Sequence, residues 1–178
     1  MVNNKIIPTK HAHGDKIGDI FAGIVIISDS LYKSKQDGSA KEDVSGNLCR
    51  RLLSEKGINI KAFELVPDSV YEIRSVILRL INNFHLVITI GGTGTTPRDL
   101  TIEAIIPFVE KKLKGFEERF REVSFPKIGN AVILTRTFLG IVGKTVICCL
   151  PGSPHAVKLG IEEVLLPDLR HLLKHMTV

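Results

Sequence analysis

The segment His85–Ile90, HLVITI, runs without a spacer into Gly91-Gly92-Thr93-Gly94-Thr95-Thr96-Pro97-Arg98-Asp99. A short β-branched run bounded by a glycine cluster reads as a strand, and one so apolar reads as covered on both faces. Such a strand belongs in the middle of a sheet with helices above and below. The other runs agree. FAGIVII reads as a strand ending in Ser28-Asp29-Ser30, INIKAFELV as one ending in Pro67-Asp68, and VICCL as one breaking at Pro151-Gly152-Ser153-Pro154. A further strand is expected at AVILTR.

Between these runs, periodicity and end signals predict helices. One spans Asp43 or Ser45 to Lys56, with Gly57 as its left-handed stop. Ser69 and Glu72 have capping-box spacing and open another, running to about Asn83. Others are expected around TIEAIIPFV, over GFEERFREVS, and after the PGSP turn to His175 with a break near Pro167. The polar stretch LYKSKQDGSAKED reads as a long loop. Strand alternating with helix predicts a single-domain, three-layer α/β fold, an open and mostly parallel sheet with helices on both faces. Residues 1–19 are expected to be an arm and 20–178 the domain.

In such sheets ligands sit beyond the carboxyl ends of the strands. Four polar turns fall there: Ser28-Asp29, Pro67-Asp68, Gly91 to Asp99, and Pro151 to Pro154. The three glycines of GGTG leave backbone N–H groups open to a ligand, a nest that attracts phosphate when a helix follows; a tight turn without ligand uses the same residues. The loop is not a P-loop, since no Gly-Lys-Ser/Thr follows. Nor is it the dinucleotide fingerprint, because Pro97 stands where the third glycine would fall. Asp68 and Asp99 lie at strand-to-helix junctions where either could cap a helix. Beside a phosphate they would repel it unless a divalent cation intervened, and Mg²⁺ takes carboxylates together with phosphate oxygens.

Composition narrows the partners. A formal charge of +5 suits an anionic ligand, yet aromatics are only 6% with no Trp, and acidic residues are interleaved throughout. No nucleic-acid partner is expected. No apolar run approaches the roughly 18 residues that span a bilayer. The first twenty residues lack the pattern of a signal or transit peptide, so a cytoplasmic location is expected. Cys49, Cys148 and Cys149 read as small buried hydrophobes, the last two pointing to opposite faces of their strand. His85 is expected to pack at a strand start, and His155 follows the PGSP turn. His11 and His13 stand with Asp15 in the arm, and His171 and His175 share a helix face. Neither pair has an evident further metal ligand.

GGTGTTPRDLT, LPGSPHAV and the opening strand with SDS together resemble the molybdenum-cofactor biosynthesis proteins of the MoaB/MogA type, which include the gephyrin G domain. The resemblance runs from Phe21 to Leu173 and takes in Asp43-Val44-Ser45-Gly46, VPDS, GFEERFREVSF and Thr135-Arg136. REVSFPKIG and the arm look closer to the MoaB type. It implies a molybdopterin adenylyltransferase, joining molybdopterin and AMP from ATP with release of pyrophosphate. It also implies Mg²⁺ with ATP, a homo-oligomer (trimer or hexamer), and hand-over to a molybdenum-insertion enzyme. By the same resemblance Asp68 and Asp99 are catalytic and hold the metal. Ser28, Asp29, Gly91, Gly92, Thr93, Gly94, Ser124, Thr135, Pro151, Gly152, Ser153 and Pro154 bind pterin or nucleotide. Ile102 stands where many members have proline, Thr135 replaces a common serine, and Ser30 replaces arginine or threonine. A non-catalytic binding or scaffold protein would share the fold, but it would not need both aspartates.

Overall fold

Alternating side chains of the first strand divide the molecule into two cores. In β1 (Ile20–Ile27), Ile24 and Ile26 enter one core while Val25 and Ile27 enter the other. Period-two alternation requires this wherever both faces of a strand are covered. The computed structural model describes residues 18–39 and 41–176. The arm expected over 1–19, with His11, His13 and Asp15, lies outside them except for its last two residues.

The further strands are β2 (Ile58–Val66), β3 (Leu86–Ile90), β4 (Lys111–Lys112), β5 (Phe138–Val142) and β6 (Thr145–Leu150). They form one sheet in the order β2-β1-β3-β6-β5-β4. β2, β1, β3 and β6 are mutually parallel, whereas β5 runs antiparallel to β6 and β4 antiparallel to β5. Every residue of β3 is buried, as its apolar run requires. One face is covered by α2 (Val44–Glu55), α5 (Lys114–Ile128) and the C-terminal helical segment. The other is covered by α3 (Val70–Leu80) and α4 (Thr101–Ile105). The expected open, mostly parallel sheet with helices on both faces is the fold observed. Cys148 and Cys149 are fully buried in opposite cores, and Cys49 is buried as well. Phe120, 1% exposed, fills the space between α5 and the sheet. Its truncation to alanine would cost about 3–5 kcal/mol.

Three expectations need correction. The stretch LYKSKQDGSAKED is not wholly a loop: its first seven residues belong to α1 (Asp29–Asp37), with Gly38 in left-handed conformation at its end. The hydroxyl of Ser28 accepts from the Leu31 N–H and caps it. Its weak apolar periodicity hid a helix whose end signals were all in the sequence. AVILTR is not a strand: residues Gly129–Leu134 form a 3-10 segment, with Ile133 and Leu134 mostly exposed. The strand begins four residues after that segment, at Phe138. Finally, Ser69 stands at the N-terminus of α3, but its side chain makes no capping hydrogen bond. The C-terminal segment comprises α6 (Pro154–Leu159), a wide π-helical turn over Gly160–Leu165, and α7 (Leu166–His175). Its irregularity thus precedes Pro167, which sits acceptably in the first turn of α7.

The junction between β3 and its loop is the tightest point of the sheet edge. Gly91 has φ of +103°, and a β-carbon there would lie 2.2 Å from the Ile27 carbonyl oxygen. Backbone cannot yield to such an overlap without moving β1 from β3. Gly91→Ala should therefore destabilise the fold by at least about 2 kcal/mol, measured as a lowered denaturant midpoint. An unchanged midpoint would show that the junction is not constrained.

Candidate active site

Because β2, β1, β3 and β6 are parallel neighbours, their following turns emerge side by side at one edge. These are the turns holding Asp68, Ser28-Asp29, Gly91-Gly92 and Pro151-Gly152. All four candidate turns of the sequence meet there. Hydrogen bonds join them in pairs. The Asp29 N–H donates to Asp68 Oδ2 at 2.9 Å, and the Asp68 N–H donates to Asp29 Oδ1 at 3.0 Å. The Gly91 N–H donates to the Leu150 carbonyl at 3.0 Å. A β-carbon on Gly152 would come within 3.5 Å of the Gly91 Cα, so the two loops are in contact.

The glycine loop is fastened from below. Thr101, the first residue of α4, donates its hydroxyl to the Gly91 carbonyl at 2.8 Å and its N–H to the Gly92 carbonyl at 2.9 Å. Both carbonyls are thereby engaged. Gly92 has φ of +60°, and a β-carbon on it would lie 2.9 Å from Asp68 Oδ1. One on Gly94 would lie 2.8 Å from Asp99 Oδ2. The two candidate carboxylates therefore rest against the glycines of a single loop. Thr93 between them is buried.

Asp99 does not cap α4, which begins after Leu100. Its Oδ2 instead accepts from the N–H and hydroxyl of Thr96, at 2.8 and 2.7 Å, closing a small turn of its own. The two acids are electrostatically unlike. Burial pushes the Asp68 carboxyl above its ordinary range; the Asp29 N–H opposes this, while the charges of Asp29 and Asp99 add to it. The Thr96 hydroxyl holds the Asp99 carboxyl below its ordinary range, helped by N–H groups and by Arg136 against slight burial.

A cleft of about 350 Å³ opens between the β1 turn, the start of α2 and the glycine loop. That falls within the range of small-molecule sites, about 300–1,000 Å³. Ile26, Ile27 and Ile90 supply its apolar lining, while Ser28, Lys41, Asp43 and Gly152 add polar groups. The Lys41 ammonium donates to Ser30 Oγ at 2.9 Å. The Ser45 hydroxyl donates to the Gly152 carbonyl at 2.7 Å and ties α2 to the PGSP turn. In that turn Ser153 accepts from the Ala156 N–H and caps α6, with Pro154 in its first turn.

Ser124 and Thr135 stand apart from this knitting. Ser124 is buried in α5, and Thr135 follows the 3-10 segment, its N–H donating to the Val132 carbonyl. The next residue reaches the loop: Arg136 donates to the Gly94 carbonyl at 2.9 Å and pairs with Glu103. Sequence reasoning passed over the roles of Ser45, Thr101 and Arg136, because each works by a long-range bond to a backbone carbonyl. His85 behaves as expected at the strand start, accepting from the Phe21 N–H. His155 is exposed beside the PGSP turn. His171 and His175 bond to one another on α7, away from these turns in the fold. Among the described residues there is no group of three or more His, Cys, Asp or Glu side chains placed to hold a metal, and no helix long and apolar enough to cross a membrane.

Residues 23–171 match the family described as "Probable molybdopterin binding domain". A "Molybdenum cofactor biosynthesis protein B" from Staphylococcus carnosus is 35% identical, the match covering 89% of this chain and 92% of that one. A "Molybdopterin adenylyltransferase" from Pyrococcus furiosus is 38% identical over 86% and 89%. The crystal structure of the "tungsten cofactor synthesizing protein MoaB" from the same organism superposes with a TM-score of 0.81 at 36% identity, covering 92% of this chain and 100% of that one. The four turns gathered at one sheet edge thus lie within the matched region, and the chain belongs to the molybdopterin-binding domain family of molybdenum-cofactor biosynthesis.

Proposed function

We propose that this protein is a molybdopterin adenylyltransferase, carrying AMP from ATP to molybdopterin in molybdenum or tungsten cofactor biosynthesis. The observation that carries the reading is the contact of Asp68 and Asp99 with Gly92 and Gly94 of one amide-rich loop. A binding or scaffold protein needs the loop but not two carboxylates set against it. The relatives at 30–38% identity that are described as adenylyltransferases support the same choice.

The reaction suits these residues. The terminal phosphate of molybdopterin is already an anion and attacks the α-phosphorus of ATP. One P–O bond forms, the bond to the bridging oxygen breaks, and pyrophosphate leaves with the electron pair. No strong base is required, so positioning and charge stabilisation supply most of the rate. The loop's amides for phosphate are those of Gly92 and Thr93, because the Gly91 N–H bonds to Leu150 and the Gly94 N–H turns to Asp99, with Thr101 holding two of the loop's carbonyls. Ser28, Asp29, Ser124, Thr135 and the Pro151–Pro154 turn are assigned to pterin or nucleotide. Lys41 offers a cation at the cleft.

Hard oxygen donors that repel one another suit Mg²⁺, an ion that draws its remaining ligands from substrate phosphates and water. Asp68 and Asp99 would hold it, and when bound it would neutralise charge on the triphosphate. Residues 20–178 then act as one binding domain in the cytoplasm. The exposed apolar side chains Phe125, Ile128, Ile133 and Leu134 suit a contact between copies of the chain; assembly as a trimer or hexamer and passage of product to a molybdenum-insertion enzyme rest on the family resemblance alone.

Binding and chemistry should separate at the carboxylates. Asp68→Asn and Asp99→Asn should each lower adenylyl transfer at least about a hundredfold, roughly 2.7 kcal/mol of barrier. Molybdopterin affinity should stay within about twofold. Wild-type activity in both variants, assayed with molybdopterin, Mg²⁺ and ATP, would remove the two carboxylates from catalysis, whereas no transfer by the unaltered protein would return the scaffold reading.

Stability provides an independent check on Asp68. Its raised pKa means that the folded protein holds this proton more tightly than the unfolded chain does. Ionisation therefore costs the fold nothing below the ordinary carboxylate pKa. The cost grows as pH rises through the raised value and is complete above it. Asp68→Asn should melt at or above the wild-type temperature at pH 7, with the difference vanishing near pH 3. A large fall at pH 7 would make Asp68 a structural residue.

A further inference from the structure

We propose that Arg136 is a positioning residue that fixes the Asp99 turn relative to the sheet, by one bond to the Gly94 carbonyl and another to Glu103. The proposal rests on the adenylyltransferase reading for its consequence in catalysis, and on contacts alone for its geometry.

The need for such a clasp follows from how the loop is fastened. Gly91 and Gly92 are held by Leu150 and Thr101. Beyond Gly94 the chain leaves the protein surface, and Thr95, Thr96, Pro97 and Arg98 are all exposed. The bonds that hold Asp99 there reach no farther than the loop itself, from the Gly94 N–H and Thr96. Its carboxylate accepts from Thr96, and its own N–H donates to the Thr96 carbonyl at 3.0 Å. These bonds make the turn a unit, but they do not fix that unit to the sheet. Thr101 anchors the far end and buried Thr93 the near one, so the turn between them could still swing.

Arg136 supplies the missing attachment. One guanidinium nitrogen donates to the Gly94 carbonyl at 2.9 Å, and the other pairs with the Glu103 carboxylate on α4. Gly94 is the residue against which Asp99 rests, since a β-carbon there would strike its Oδ2. Holding the Gly94 carbonyl therefore sets where the Asp99 carboxylate can lie. The clasp has a firm base, because Thr137 is buried and β5 begins at Phe138. The rigid fork of arginine spans two acceptors in different directions, which the single ammonium of lysine cannot reproduce.

A surface ion pair of this exposure adds little to stability. The clasp and an ordinary surface pair therefore predict different results. Arg136→Gln should lower kcat at least about tenfold with molybdopterin binding and melting temperature little changed. Arg136→Lys should recover only part of the loss, and Glu103→Gln should lose less than Arg136→Gln. Combined with Asp99→Asn, Arg136→Gln should add almost nothing, because both act through one carboxylate. Amide exchange at Thr95, Thr96 and Asp99, followed by NMR, should quicken in Arg136→Gln while exchange across β3 stays the same.

Unchanged exchange in that turn would overturn the clasp, as would a loss of activity fully additive with Asp99→Asn. A rise in KM alone, restored by Arg136→Lys, would instead make Arg136 a substrate contact and also overturn it. Wild-type protein that transfers no adenylyl group would sink the functional reading, and the exchange comparison would then decide the clasp by itself.

Discussion

The Ile27 carbonyl oxygen occupies the space that any side chain on Gly91 would need. Much of the site follows from that close approach. It lets the ends of β1 and β3 draw together at the same level, with the Gly91 N–H still bonded to β6 through Leu150. Three strands are thus gathered at one point, and the reciprocal bonds of Asp29 and Asp68 bring in the fourth. A parallel sheet only ensures that such turns share an edge. Contact between them depends on a residue without a side chain at the middle strand.

The two carboxylates at this edge are built differently, although both touch the glycine loop. Asp68 is held by a backbone N–H from the neighbouring strand turn and bears the cost of partial burial and of like charges. Asp99 is held by hydroxyl and amide donors a few residues away and is stabilised as an anion. Strand-end geometry therefore places the first, and a local turn places the second. On the proposed reading, the first keeps a charge where the fold disfavours it, and the second lends that charge a partner through whatever cation they share.

Much of this was legible in the sequence, for identifiable reasons. β3 was plain because a run of four apolar, mostly β-branched residues and one threonine ended at glycine. α2 was plain because Gly57 stops it in left-handed conformation. The four turns could be assigned to one edge from topology alone. AVILTR misled because its apolar residues have strand-like composition, yet Ile133 and Leu134 face outward. α1 was obscured because it buries little more than Ser34 along a polar helix. Ser45, Thr101 and Arg136 could not be given roles beforehand, since each reaches a carbonyl whose neighbourhood exists only after folding.

Besides Leu159, the buried apolar side chains of the C-terminal segment are Val157, Ile161, Leu165, Leu169 and Leu173, a row spaced by four throughout. An ordinary α-helix advances about 400° in four residues, so such a row would drift by about 40° at each step. Five of them could not all face one sheet. The wide turn over Gly160–Leu165 absorbs the drift and keeps the row on the core. A wide turn of this kind is what one inserted residue leaves in a regular helix. Deleting a residue there would restore spacings of three and four, the rhythm of an uninterrupted α-helix. The segment can thus lose one residue at this point without turning its buried row away from the core.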